Sequence, residues 1–538
     1  MDDSDTTSTD HPYLFVTNES IPGLRSVGDV REAIETGVGR DLWARLESKL
    51  DADLDADPIL PTTELPSRSD RHAETGYVDF HVVHEACQRT KRAALAALVT
   101  DDSKYRDVAL DQIDALFDEE RWPIWQDQHH LEKFELTADL RTGVISRDVA
   151  IAYDWLYPQL TPDQRDWIVD GLDRRGIEPY FQTLEDDAWW ADAGNNWMTV
   201  IVGGVGVVGM ALGDDHPRSA ELVEASVPRM EGYLDRYGPD GEFNESVGYA
   251  AATKLPVLYF MARRYATRGG SDELEGGALR RACRWLMYGT VPPGTYAALG
   301  DTHVDAPVRT AFFPAVAMAA RDETMQWYYT THLDRPEVRD LPLEILWYDD
   351  TLDSTRPDGV LPCGRAFEAH GGLVTSRSSW DPESPASLVY SKAGIEGHHQ
   401  HHDAGQVCVD AYGRRLIRDL GSPSGYPEDF FGENRWEYYN ASSHGHNVFE
   451  FGGNEMPVEG GKEGRILESR FDEETGGYWR FDLSGMYDLA TRVTRTVVHL
   501  LPHTVAVVDA ADLAEPDSVS MRWHTATAVT PDGAGNFL

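Results

Sequence analysis

The apolar periodicity of this chain changes once, and that change bounds what it can fold into. From about Val27 to about Tyr348 apolar residues recur at helical spacing; beyond the segment DSTRPDGVLPCG (353–364) they recur at every second position. A helix face needs apolar residues three and four apart, and a half-buried strand needs strict alternation, so the two halves read as different architectures. Leu42, Leu46 and Leu50 mark one helix face, and Ala93, Ala94, Ala96, Ala97 and Leu98 mark a small-residue one. Thr161-Pro162-Asp163 places an N-cap before a proline at the first helical position. Asn195 to Leu212, Glu221 to Tyr237, Ala250 to Ala266 and Asp272 to Met287 continue the series. Roughly ten to twelve helices with short Gly-, Pro- and Asp-rich connections predict antiparallel helical hairpins, stacked as a solenoid or closed into a ring. After the switch, GGLVTSRS, SLVYSKAG, QVCVDAYG, NVFEFGG, YWRFDL, TRVTRTVVHLL and TVAVVDAADL predict an antiparallel β-sandwich. The expected organisation is multidomain α+β: an extended lead-in over 1–25, a helical domain over 26–352, a linker over 353–364 and a β domain over 365–538. Strand character persists into the final MRWHTATAVTPDGAGNFL, which predicts a sandwich cut short.

Composition excludes several function classes. At 538 residues the chain exceeds one compact core, and 41% hydrophobic with 10% aromatic residues is ordinary for a globular protein. The formal net charge is −44, from 92 acidic and 48 basic residues, and only seven of the basic ones are lysine. Dispersed carboxylates with lysine suppressed predict a halophilic-type surface. No basic stripe exists to neutralise phosphates, so nucleic acid is not an expected partner. Cys87, Cys283, Cys363 and Cys408 form no CxxC pair, which argues against a disulfide scaffold or a cysteine metal site. The start MDDSDTTSTDHPYLF has neither a basic nor an apolar signal region, so the expected location is cytoplasmic, or secreted if a leader was removed. The longest apolar run, Val200 to Leu212, is glycine-rich and short for a membrane span, so none is expected. A homo-oligomer is left open.

The chemistry concentrates between Gly397 and Asn447. There GHHQHHDAG is followed by Asp419 and by the pair His446-Asn447. His399 and His401 are two apart, so on a strand both leave the same face. Two imidazoles and a carboxylate, as in His401, Asp419 and His446, are a common Zn²⁺ set, and a further histidine beside such a set is a candidate acid or base. By contrast, GVGVVG (204–209) matches a dinucleotide-binding pattern only literally; it has no preceding strand, and close helix packing is the expectation.

Five motifs in order resemble the heparinase II/III family of polysaccharide lyases: HPYLFVTNESIPGLR; AYDWLYPQLTPDQR; GNNWMTVIVGGVGVVGMALG; DGEFNESVGY; and GHHQHHDAGQ with SSHGHNVFEFGG. The resemblance implies an incomplete (α/α) toroid on an antiparallel β-sandwich, and an acidic, uronate-containing polysaccharide as substrate. Such a lyase works by β-elimination, which needs a base for the C5 proton, an acid for the leaving O4, and donors that neutralise the uronate carboxylate. It implies Tyr249 and His399 as catalytic residues. It implies His401, Asp419 and His446 as ligands of a zinc, or another divalent ion, that holds the strands rather than performs chemistry. The His401-to-Asp419 spacing is one residue longer than the pattern, which predicts an insertion in the 412–415 turn or a ligand swap. Asn195 and Asn196 fall where the family shows Asn followed by His or Trp; in several such lyases Asn-His neutralises the substrate carboxylate, and here no histidine follows. Tyr439, Arg435 and Glu245 complete the candidate substrate contacts. The competing expectations are a toroid glycoside hydrolase using Asp192, Asp240 or Glu245, a uronate epimerase, and a non-catalytic glycan binder.

Overall fold

The computed structural model describes residues 11–65, 78–334, 339–382, 387–395, 399–423, 425–427, 429–456 and 464–527. Gly397 and His398 of the histidine run, lead-in residues 1–10 and the terminal 528–538 lie outside them.

Sixteen α-helices lie between Val27 and Trp347 among the described residues, more than the periodicity predicts. The surplus is short pieces such as Gln128–Phe134 and Asp272–Glu275, too brief to show a period. Local rules hold where they were expected: Thr161 caps Pro162–Leu172 with a capping box and proline in the first turn.

Six helices form an inner ring. Leu140–Leu156 packs between Phe80–Thr100 and Asn196–Leu212; Lys254–Ala266 packs on Asn196–Leu212 and on Phe313–Ala320; Leu341–Trp347 joins Phe313–Ala320 back to Phe80–Thr100. The last two are only 8 and 7 residues long, so the toroid is thin on that side. Glycines set the tightest contact. A Cβ on Gly204 would lie 2.6 Å from the Gly143 carbonyl oxygen, and one on Gly143 would lie 2.6 Å from that of Val200. The GVGVVG run is therefore a packing surface. Over Asn196–Asp215 that helix is long and apolar enough to cross a membrane, correcting the expectation from Val200–Leu212; yet 83% of its most apolar window is buried in the toroid, as befits a core helix.

The β half contains two antiparallel meanders. Gly364–Phe367, Leu373–Arg377, Ser387–Lys392, Val407–Ala411 and Arg414–Ile417 make one five-stranded sheet, and Arg465–Asp472, Gly476–Asp482, Ala490–Leu500 and Thr504–Leu513 make a four-stranded one. Phe449–Phe451 pairs with Val519–Met521. The five-stranded sheet has no simple wet face. Val374, Val389 and Val407 point into a core shared with Trp479, Phe481 and Val497, while their neighbours Leu373, Leu388, Tyr390 and Cys408 point into the helical core. Period-two alternation thus feeds two cores from one sheet and presses the sandwich onto the toroid. Tyr412 and Gly413, both at positive φ, make the tight turn between the last two strands. A bulge follows that turn: Asp410 pairs with Arg415 and Val409 with Ile417, leaving Leu416 over.

Candidate active site

Three chain segments converge where the sandwich meets the toroid. The helical half supplies Tyr249, at the start of the 3₁₀ turn Tyr249–Thr253, and the loop Gly300–Thr302. The sandwich supplies His399 to His402, which lie in the loop between Ser387–Lys392 and Val407–Ala411 and not on a strand as their spacing predicts. Gly300 has φ +57°, and a Cβ there would lie 2.5 Å from the His399 carbonyl oxygen, so only glycine allows this approach. The backbone N–H of Asp301 then donates to that carbonyl at 2.9 Å. Thr302 Oγ1 accepts from the Gly248 N–H at 2.8 Å, tying the same loop to the tyrosine turn.

The Tyr249 ring stacks on the His399 ring, with centroids 3.7 Å apart and planes 13° from parallel. Tyr249 Oη is 3.0 Å from Tyr426 Oη, and Phe431 closes edge-on against His399 at 5.3 Å. Burial pushes the Tyr249 phenol above its ordinary value of 10, although the hydrogen bond to Tyr426 works the other way. Tyr249 is thus a neutral phenol at physiological pH, able to give a proton.

Asp301 organises the back of the site. Its buried carboxylate accepts from His399 Nδ1 at 2.9 Å, from His401 Nε2 at 2.8 Å and from Arg435 Nη2 at 2.9 Å. Burial alone would raise its pKa, but the bonds from His399 and His401, with the charges of His401 and Arg435, hold it well below the usual carboxylate range. With Nδ1–H given to Asp301, the His399 lone pair is on Nε2. The Glu245 carboxylate lies 3.9 Å from that atom.

His401, Asp419 and His446 are buried and bring ligand atoms within 4.8 Å of one another. Asp419 stands in the set, so no ligand swap is needed. His401 donates Nε2–H to Asp301, and His446 donates Nδ1–H to Asp419 at 2.9 Å. Their other ring nitrogens, His401 Nδ1 and His446 Nε2, are buried without a hydrogen-bond partner among the described residues. Two free imidazole lone pairs, each backed by a carboxylate on the opposite nitrogen, suit a divalent cation. Burial lowers the His401 pKa, which favours the neutral ligand form; for His446 burial is outweighed by Asp419, which raises it. Gln406 and the Gly421 N–H also hold Asp419, at 2.6 and 2.7 Å.

The remaining expected contacts divide. Asn195 caps the helix Asn196–Leu212, its Oδ1 accepting from the Trp197 and Met198 N–H groups; its Nδ2 stays free among the described residues. Asn196 is exposed. Arg435 corrects the expectation of a substrate contact: it is only 6% exposed and bonds inward to Asp301 and to the Gln400 carbonyl oxygen, so it props His399 from behind. Tyr439 is half exposed and meets His524 at 3.2 Å, on the metal-set side. Of the hydrolase carboxylates, Asp192 pairs with Arg229 and Asp240 with Arg365, leaving only Glu245 beside His399. Asp301 and Tyr426 were missed. One is a single aspartate in an acid-rich chain and the other a tyrosine in a Gly/Pro loop; the sole signal is the glycine preceding Asp301.

Residues 366–536 match the family described as Heparinase II/III-like, C-terminal. No curated protein matches the chain. Among solved structures, the fold is similar to a heparan sulfate lyase HepC mutant from Pedobacter heparinus, at 14% identity and TM-score 0.58, covering 96% of this chain and 80% of that one. A heparinase III gene product gives 13% identity and TM-score 0.59 over 96% of this chain and 76% of that one. A further heparinase III gives 15% identity and TM-score 0.55, over 95% and 81%. At these identities the likeness is one of fold: a helical toroid carrying an antiparallel β domain.

Proposed function

We propose that this chain, whose β domain is of the heparinase II/III-like C-terminal family, is a polysaccharide lyase that cleaves an acidic, uronate-containing glycan by β-elimination. The observation that carries the reading is the stacked Tyr249–His399 pair at the domain boundary, backed by Asp301. His399 Nε2 removes the C5 proton of the uronate, while Asp301 holds the imidazole by Nδ1–H and stabilises the cation that forms. The C4–O4 bond breaks, a C4=C5 double bond forms, and O4 takes the phenolic proton of Tyr249. Tyr426, bonded to Tyr249 Oη, steadies the phenolate left behind. Exchange with water restores both groups. Asn195 Nδ2 and Asn196 are the proposed donors to the substrate carboxylate, in place of the buried Arg435.

The proposed metal is zinc, held by His401, Asp419 and His446. When bound, the ion would supply a fixed charge tying the loop that carries His401 to Asp419 and His446. The chemistry belongs to the protein groups.

Screening uronate polymers for near-ultraviolet absorbance tests this reading, because β-elimination leaves an unsaturated uronate and hydrolysis does not. New reducing ends without that absorbance would overturn it in favour of hydrolysis. Solvent deuterium uptake without chain cleavage would favour epimerisation.

A further inference from the structure

A net charge of −44 should repel a polyanion, yet the toroid lumen is locally cationic. A cavity of about 190 Å³ opens at the N-terminal ends of the inner helices, lined in part by His84, Arg147, Lys254, Arg309 and Asp340. The Lys254 and Arg309 side chains face it and have neither a salt bridge nor a hydrogen bond to any described residue. Arg147 is 8% exposed; it gives Nε to Asp148 at 2.7 Å, and its two terminal nitrogens have no hydrogen-bond partner among the described residues. The carboxylates nearby are already engaged. Lys91 takes Asp340 at 2.5 Å and Asp148 at 3.3 Å. Among the described residues, Lys91, Arg147, Lys254 and Arg309 stand against Asp148 and Asp340, an excess of two positive charges. Arg339, also on the wall, is neutralised by Glu344. Helix N-termini at Phe80, Lys254 and Phe313 add partial positive charge from the same side.

Lys254 and Arg309 are solvent-exposed, and Arg147 is the buried member of the set. In so acidic a chain, two cations that face one cavity without a carboxylate partner among the described residues favour an anionic guest there.

We propose that this cavity is an anion subsite in which Lys254 and Arg309, with Arg147 beneath, take one carboxylate or sulfate group of a sugar. Its volume is below the roughly 300–1,000 Å³ of sites that enclose a drug-sized ligand, so it accepts a single acidic group or ring, not a chain. It shares two segments with the Tyr249–His399 site. The 3₁₀ turn beginning at Tyr249 runs straight into Lys254, a rise of about 10 Å at 3₁₀ geometry, and the loop that carries Asp301 continues to Arg309. A short oligosaccharide spans that distance. Only the sugar identity of the guest rests on the lyase reading; the anion site itself does not.

Calorimetric titration of the full chain with glucuronate, and separately with inorganic sulfate, in a chloride buffer tests the proposal. Saturable binding of at least one is expected, and which one saturates assigns carboxylate or sulfate as the guest. Lys254→Met and Arg309→Gln should each weaken it by about 10–100-fold, the range for one charge-assisted hydrogen bond. Lys254→Arg should retain it, which separates lost charge from lost folding. Tyr249→Phe should bind normally. Binding unchanged in both charge-removing variants, or no saturable binding of either anion, overturns the subsite. Intact anion binding without unsaturated product from any uronate polymer would instead sink the lyase reading and leave the subsite standing.

Discussion

Replacing Asp301 by asparagine tests the centre of the site in one step. The change is isosteric but removes the charge that balances buried Arg435 and accepts from His399 and His401. Arg435 Nη2 would keep only the Gln400 carbonyl oxygen as a partner. Breaking a buried ion pair from one side costs about 3–5 kcal/mol, because the remaining charge is desolvated without compensation. The same substitution removes the fixed acceptor for His399 Nδ1–H, so the imidazole can present the wrong tautomer to substrate. General-base contributions of about 10²–10⁴ in rate set the expected loss in kcat, with KM little changed. Calorimetric unfolding and near-ultraviolet turnover measured on the same preparation separate the two effects. A variant that unfolds like the parent, or one that stays folded and turns over within a factor of about three of the parent, refutes the assignment of Asp301 as the residue that orients His399.

Three further outcomes are expected. Tyr249→Phe should abolish turnover and Tyr426→Phe should reduce it; since burial raises the Tyr249 phenol above 10, a pH–rate profile should show no alkaline loss from this group below that value, and a limb near neutrality would exclude Tyr249 as the acid. Metal analysis should find about one divalent ion per chain, and stripping it or introducing His446→Ala should lower the unfolding temperature, with restoration by added zinc only for the parent. His499 is fully buried between Ser376 and Ser387 at 2.9 and 2.7 Å, and burial holds its pKa at about 4 against an ordinary 6.5. The unfolded chain therefore binds the proton first, so His499 destabilises the fold progressively as pH falls from about 6.5 to about 4, by of order 3 kcal/mol. His499→Gln should flatten that part of the stability–pH curve, and an unchanged slope would remove His499 as its cause.

Much of the architecture was legible in the sequence because it rests on local rules. The switch of period at 353–364 separates helices from strands with no tertiary information, and the cap at Thr161 is equally local; the i, i+2 spacing of His399 and His401 misled, because both lie in a loop and meet at Asp301 only through tertiary contacts. Short helices such as Asp272–Glu275 escaped because a single turn shows no period, and the apolar length of Asn196–Asp215 was underestimated because its glycines read as interruptions. In this tightly packed ring those same glycines are what allow the helices to touch.

Sequence alone, then, determined the two architectures, the metal-type triad and the Tyr249–His399 pairing as a candidate. Tertiary structure decided which groups stand behind them. Asp301 lies 98 residues from His399 in the chain and 134 from Arg435, yet one buried carboxylate serves both. Nothing in an isolated Gly-Asp pair announces that role. Arg435 reads as a substrate contact until packing turns it inward, and Lys254 and Arg309 read as ordinary basic residues until ring closure leaves them facing a cavity whose one lining carboxylate, Asp340, is taken by Lys91. The physical reason is common to all three: a charged side chain takes its function from the dielectric and the partners around it, and only the fold sets those.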